Sequence, residues 1–287
     1  MKLSLFYPNL SLNFNVKFIC TKPEEIKKNC IYVNLQNVTN FDISDKIKNK
    51  ILVVNETPLF DNSILSITVP NAYQELIRLL KIYYDLLNVN YKLIGILNDD
   101  FLNYKKMTSD LFKSFNKEKI DFIEQYDNIE NLFKTINNFG KNKVDYIFLF
   151  FHSNELNQLN GLLYFDYIIL PKSNYNNNNK NIYNINHYLQ EDGLLIYNYD
   201  DFSDLSIIDN SISFSCYNDG MYNINDLTYH SKIITGSIYK NKKELTEFLF
   251  CFNNQEYIYY VFSLFILFDN IYQSSDRVQN FFSKYIL

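Results

Sequence analysis

Short runs rich in β-branched and aromatic residues alternate along this chain with longer stretches of helical period, and that alternation leaves room for few folds. Strands are predicted at 16–19, 31–34, 51–54, 64–69, 92–96, 146–151, 167–170 and 194–198. Helices are predicted at 72–87, 104–115, 129–138, 181–189, 242–250, 255–268 and 276–285. In the first of these, Leu76, Leu79, Leu80, Tyr83 and Leu87 share one face. Strands interleaved with helices predict an α/β protein with a mostly parallel sheet. A chain of 287 residues holds two ordinary domains or one large one. The stretch 88–91 separates a long helix from a new buried strand, which divides the chain into 1–88 and 89–287. The run NYNNNN at 174–179 reads as a polar loop.

Charge and cysteine usage exclude several classes. The formal net charge is −5, and the cations are almost all Lys, with Arg only at Arg78 and Arg277. Nucleic-acid binding calls for a basic face with Arg for bidentate contacts, so no nucleic-acid partner is expected. Cys20, Cys30, Cys216 and Cys251 have no CxxC spacing and no nearby His pair, which argues against a zinc site. The N-terminal stretch is broken by Pro8 and several Asn, as in a buried strand rather than a secretory signal. The most apolar segment, 257–268, is far short of the ~20 residues that span a bilayer. It reads as a core helix, with Tyr257, Tyr259, Tyr260, Phe262, Phe265 and Phe268 as core residues. The expectation is a soluble, cytoplasmic protein with no membrane partner. One Ala, no Trp and many Asn, Ile, Lys and Tyr fit pressure toward AT-rich codons, so that bias carries no functional weight.

Several motifs then occur in a telling order. SNELNQLNGLLYFDYIIL at 153–170 resembles the Mur ligase segment SSHxLxxxRVxGxxFDxxIFTN, with Leu156, Gly161, Phe165 and Asp166 in register. LQEDGLLIYNYDD at 189–201 is similar to LxxxGxxVxNxDD of the same family, keeping Gly193, Asn198, Asp200 and Asp201. VPNAYQELIRLLKIYY at 69–84 resembles the helix that closes the family's first domain, and FNNQEYIYYVFSLFIL at 252–267 its FNxxNxxAAxAxA helix. The likeness is greatest to the branch that adds the third residue to the muramyl peptide. It implies a small N-terminal α/β domain followed by a mostly parallel-sheet, P-loop-like central domain, with the family's C-terminal ligase domain absent.

The resemblance also implies ATP and Mg²⁺, because such ligases activate a carboxylate as an acyl phosphate. Phosphate binding needs glycines for close backbone approach, a Lys for charge and a Ser/Thr for the metal. The family's loop GxTGTNGKTT stands where this chain has GILNDDFLNY (95–104). Aligned through Gly95, the second glycine becomes Asn98 and the third Phe101, the lysine becomes Leu102 and the threonine Asn103. Asp99 and Asp100 add negative charge where a polyanion would sit. One like-charge contact at ~4 Å and an effective dielectric of ~20 costs roughly 4 kcal/mol. Recruiting Lys105 or Lys106 by sliding the register does not restore the glycines.

The remaining family positions depart similarly. The metal-binding Glu falls on Phe150 and the first serine on His152, while Ser153 is kept. No His follows Leu170 closely, and His187 lies too far on. The carbamylated Lys aligns near Ile182, with Lys180 on a different helix face, and the uridine-binding DSR aligns loosely with Lys22, Pro23 and Glu24. A triad of His152, Ser153 and Glu155 rests on sequence adjacency alone, which is not triad geometry. Ser153, Asn198, Asp200 and Asp201 are the candidate remnant binding residues; for NYDD a strand-ending turn and cap is the favoured reading. ATP and Mg²⁺ are therefore predicted lost, with no catalytic residue and no metal ligand. The expectation is an inactive Mur-ligase-like protein that works by associating with another protein, in connection with peptidoglycan precursor synthesis. Two alternatives stand beside it: an ATP-dependent amide ligase completed by a partner chain, and a remnant nucleotide or UDP-sugar binder.

Overall fold

The computed structural model describes the chain apart from residues 11–13, 39–42, 60–62, 87–89, 98–100, 116–117, 153–154, 156–158, 160–161, 173–179, 231–232, 252–256, 273–279 and 281–287. Two compact units emerge, Met1–Val89 with Asn128–Asn138, and Asn90–Asp127 with Phe139–Leu287.

The first unit holds a four-stranded, all-parallel sheet of β1 (Phe18–Cys20), β2 (Cys30–Val33), β3 (Ile51–Asn55) and β4 (Ser66–Thr68), in that order. The central strands CIYV and ILVVN are buried along their whole length, which is why they read as unbroken apolar runs. Where β2 and β3 end, Asn34 donates its amide to Asn55 Oδ1 at 2.8 Å and to the Val38 carbonyl at 2.8 Å. Helix α1 (Ala72–Tyr83) starts behind Pro70, with Asn71 Oδ1 accepting from the Gln74 N–H at 2.8 Å, a side-chain N-cap. Its Leu76, Ile77, Leu79 and Leu80 are buried. Arg78 pairs with both Glu75 oxygens at 2.9 and 2.7 Å, and Tyr7 donates to the same carboxylate. This clamp ties the N-terminal segment to α1. The first ten residues of α3 (Ile129–Lys141) belong to this unit.

The second unit is organised by a nine-stranded sheet in the order β13-β12-β11-β10-β9-β8-β5-β7-β6. Its first six strands are β5 (Lys92–Leu97), β6 (Ile120–Ile123), β7 (Tyr146–Phe151), β8 (Phe165–Leu170), β9 (Leu189–Asn198) and β10 (Ser211–Ser215), all parallel. Helix α2 (Phe101–Phe115) leads from β5 to β6. β11 (Tyr222–His230), β12 (Ile233–Lys240) and β13 (Lys243–Cys251) form an antiparallel ribbon. β11 pairs with β10 only through Phe214↔Tyr222 and Ser215↔Asn223. The ribbon therefore projects past the carboxyl end of β10 by the length of 224–230, at about 3.4 Å per residue.

Helix α4 (Tyr257–Tyr272) is apolar all round, and Ile258 and 260–269 are buried. It shares one apolar cluster with strand residues Ile94, Phe148 and Ile196, with Tyr104 and Phe112 of α2, and with Phe248 and Phe250 of the ribbon. Neighbours on several sides remove the need for a polar face. Asp269 is a polar anchor towards the end of this helix: Tyr222 donates to it at 2.6 Å and Lys240 at 3.0 Å, with the ammonium 4.8 Å from the Tyr222 ring centroid.

Two expectations about local structure need correction. Residues 242–250, predicted helical, are strand β13, and 181–189 form a 3-10 run (Lys180–Tyr188) that feeds directly into β9. Leu245 and Leu249 are spaced like helix neighbours, but Phe248 and Phe250 are the deeply buried pair, with a strand's period of two. The predicted helix 276–285 lies outside the described residues except Asn280.

Candidate functional site

In an open parallel sheet the carboxyl ends of the strands gather along one edge, and ligands bind there, where the strand order reverses. Here the reversal lies beside β5: the chain adds β6 and β7 on one side of it, then crosses to β8 on the other. The carboxyl ends of β5, β7, β8, β9 and β10 frame the candidate site.

Gly95 is not in a loop. It lies within β5, and a Cβ there would stand 2.8 Å from Phe151 Cε1 and 2.9 Å from Phe165 Cδ1. Its service is to let two aromatic rings close over the strand. Asn98 falls outside the described residues, as do Asp99 and Asp100. Phe101, Leu102 and Asn103 form the first turn of α2. Next, Tyr104 is fully buried, its hydroxyl 3.0 Å from Ser263 Oγ and its ring edge-on to Phe150 and Tyr260. Lys105 is committed to Glu124 at the end of β6, with its ammonium 5.5 Å from the Phe122 ring centroid.

Phe150, where the family resemblance would put a metal-binding Glu, is buried on β7 in the large core cluster. His152 is exposed just past that strand. Its backbone N–H reaches Glu155 Oε2 at 2.7 Å, while the Glu155 N–H donates to the His152 carbonyl at 3.0 Å. Glu155 thus closes a turn. Ser153 is outside the described residues, as is the stretch after Lys172.

Asn198, Asp200 and Asp201 do come together. Asn198 is fully buried; its Oδ1 accepts from the Asp200 N–H at 3.1 Å and its Nδ2 donates to Asp201 Oδ2 at 3.1 Å. The Asp200 carboxylate accepts from Ser215 Oγ at 2.6 Å, Asn218 Nδ2 at 2.7 Å and the Cys216 N–H at 2.8 Å. The motif is a clasp between the ends of β9 and β10. Beneath it, burial followed by the charges of Asp200 and Asp201 pushes the Cys216 thiol well above its usual range.

The other residues that carry the family resemblance also have packing roles. Phe165 covers Gly95, and the Asp166 carboxylate takes the Leu93 N–H at 2.8 Å, stitching β8 to β5. Burial raises that carboxyl above the ordinary carboxylate range. A Cβ on Gly193 would meet the Phe165 carbonyl at 2.8 Å. Gly95, Phe165 and Gly193 therefore form one chain of close approaches, invisible as such in sequence. Among the described residues no group of three or more His, Cys, Asp or Glu is arranged to hold a metal, and no helix is long and apolar enough to cross a membrane.

No family model matches the sequence, and no curated protein matches it. Solved structures do match in fold. MurF from Acinetobacter baumannii aligns with a TM-score of 0.56 at 11% identity, covering 94% of this chain and 63% of that one. A MurF ligase from Thermotoga maritima in complex with ADP gives 0.55 at 14% identity, covering 94% and 66%. The chain has a Mur-ligase-like fold. Folylpolyglutamate synthetase from Lactobacillus casei gives 0.50 at 5% identity, over 72% of this chain and 66% of that one. The chain thus spans just under two thirds of the length of the MurF structures it matches. At these identities the likeness is one of fold, and fold does not fix function.

Proposed function

We propose that this protein is a non-catalytic relative of the Mur ligases that acts by associating with another protein, in connection with peptidoglycan precursor synthesis. The observation that carries this reading is the packing of β5 and of α2 on either side of residues 98–100. Gly95 is enclosed by Phe151 and Phe165, no other glycine precedes the helix, and Lys105, the first cation after β5, is paired with Glu124. Phosphoryl transfer depends on positioning and charge stabilisation, and a ring-enclosed glycine and a paired lysine supply neither of these to a phosphate. The clasp geometry of Asp200, satisfied by three neutral donors, supports the same reading, because it occupies the carboxylate without a metal or a nucleotide. The test is ADP release from ATP–Mg²⁺ with a UDP-N-acetylmuramyl peptide and an amino acid. None is expected, and sustained turnover by the purified chain would refute the proposal.

A second reading, an amide ligase completed by a separate chain, is favoured by one observation: α2 still starts at the carboxyl edge, where orphan N–H groups of a helix can meet an anion. It requires ADP release once cell extract is added to the same mixture. The non-catalytic proposal requires that extract add nothing beyond its own background.

A further inference from the structure

Tyr217 stands in water with 69% of its surface exposed, in the connection between β10 and β11 at the carboxyl edge. It is nonetheless held at both ends. Its backbone N–H donates to Ser215 Oγ at 3.0 Å, and its hydroxyl meets that of Tyr229, on the projecting part of β11, at 3.3 Å. A large exposed aromatic ring fixed in place is a preorganised contact surface, with little conformational freedom left to lose on binding.

Its surroundings are one-sidedly acidic. At this carboxyl edge the segments 199–202 and 216–221 carry Asp200, Asp201 and Asp219, and no Lys, Arg or His. Asp200 accepts from a hydroxyl, an amide and a backbone N–H, all neutral, so its charge is solvated but not cancelled by these donors. Tyr259 feels the same field: burial first, and then neighbours that include Asp200 and Asp201, raise its phenol. Burial and the Tyr217 hydroxyl raise that of Tyr229.

We infer that the Tyr217–Tyr229 shelf with its carboxylate rim docks a Lys- or Arg-bearing segment of a partner protein. The ring face attracts the cation through its quadrupole, and the rim supplies charge complementarity that steers encounter and rejects acidic segments. This names the chemistry of the partner in the non-catalytic reading and rests on that reading.

The test uses the full chain and two labelled ten-residue peptides, alternating Arg–Gly and alternating Glu–Gly, followed by fluorescence anisotropy at 150 mM salt. The Arg peptide binds and the Glu peptide does not. Tyr217→Ala weakens the Arg peptide about fivefold, the scale of an exposed cation–π contact, and Asp219→Asn weakens it further in combination. Glu24→Gln, a charge change in the other unit, leaves it unchanged. Thermal midpoints of all variants confirm folding. Absence of Arg-peptide binding would overturn the inference, as would equal weakening by Glu24→Gln and Tyr217→Ala, which would mean diffuse attraction. Binding of ATP–Mg²⁺ by the same preparation would defeat the non-catalytic reading separately, because it is read without the peptides.

Discussion

The two halves of the large sheet are held by different means. In the parallel half, β5 and β7 are buried almost end to end, and their spacing is set by ring-on-glycine contacts at Gly95 and by the carboxylate of Asp166 on Leu93. In the ribbon only one face is sealed; Thr235, Glu247 and the partly exposed Leu249 look outward. Its anchorage is that one apolar face, with Ile224, Ile234, Ile238, Phe248 and Phe250 in the core cluster, and the Asp269 clamp. The parallel half should therefore resist any added atom, while the ribbon should tolerate packing changes but suffer when its polar anchor is removed.

The sharpest contrast comes from adding a side chain at matched strand glycines. Gly95→Val, which drives a Cβ into two buried rings, should cost about 3 kcal/mol in urea unfolding. Gly236→Val, whose Cβ would lie 3.0 Å from Phe248 Cζ and 3.1 Å from the Asn225 carbonyl, should cost about 1 kcal/mol. Equal losses would erase the distinction. Removing the ribbon's anchor by Asp269→Ala leaves the Tyr222 hydroxyl without its acceptor and should cost about 2 kcal/mol in the same assay. Asp200→Ala, which strands the Ser215, Cys216 and Asn218 donors, should cost a similar ~2 kcal/mol.

The smaller effects probe the backbone and the phenols. Asn241 and Lys242 turn the β12–β13 hairpin with φ of 50° and 67°. Lys242→Gly should stabilise by about 1 kcal/mol, because glycine adopts that left-handed geometry without a Cβ penalty. Tyr91 and Tyr146 are pushed up to about 12, chiefly by burial. Their unfolded phenols titrate near pH 10. Stability from these groups is thus full below pH 10 and is lost as pH rises from 10 to 12. Urea midpoints across that window should decline on alkalinisation, beginning above pH 10; a flat profile would contradict the burial of these hydroxyls.

The same contrast decides what could be read in the sequence. The parallel strands other than β6 and β10, and α1 to α3, were legible because buried strands and amphipathic helices leave regular patterns, and α4 announced itself as a core helix; β6, only partly buried, and the short β10 did not. The ribbon was not. Asp226, with φ 54°, marks a bulge that breaks the alternation begun by Tyr222 and Ile224. The hairpin turn carries Asn–Lys rather than Asn–Gly, so its strongest local signal is missing. At the candidate site, the predicted strand 92–96 contains Gly95, but its close approach to Phe151 and Phe165, far along the chain, leaves no mark in the sequence. Asn198 and Asp200 were visible as a turn motif. Their cross-strand partners Ser215, Cys216 and Asn218 were not, since nothing in 211–218 marks them as donors to that clasp.

The central claim is that the carboxyl edge of the large sheet does not bind a nucleotide triphosphate. Isothermal titration calorimetry of the intact chain with ATP and Mg²⁺ addresses it directly. The account predicts no saturable heat up to about 1 mM ligand, whereas a Kd near 1 μM, about −8 kcal/mol, would contradict it.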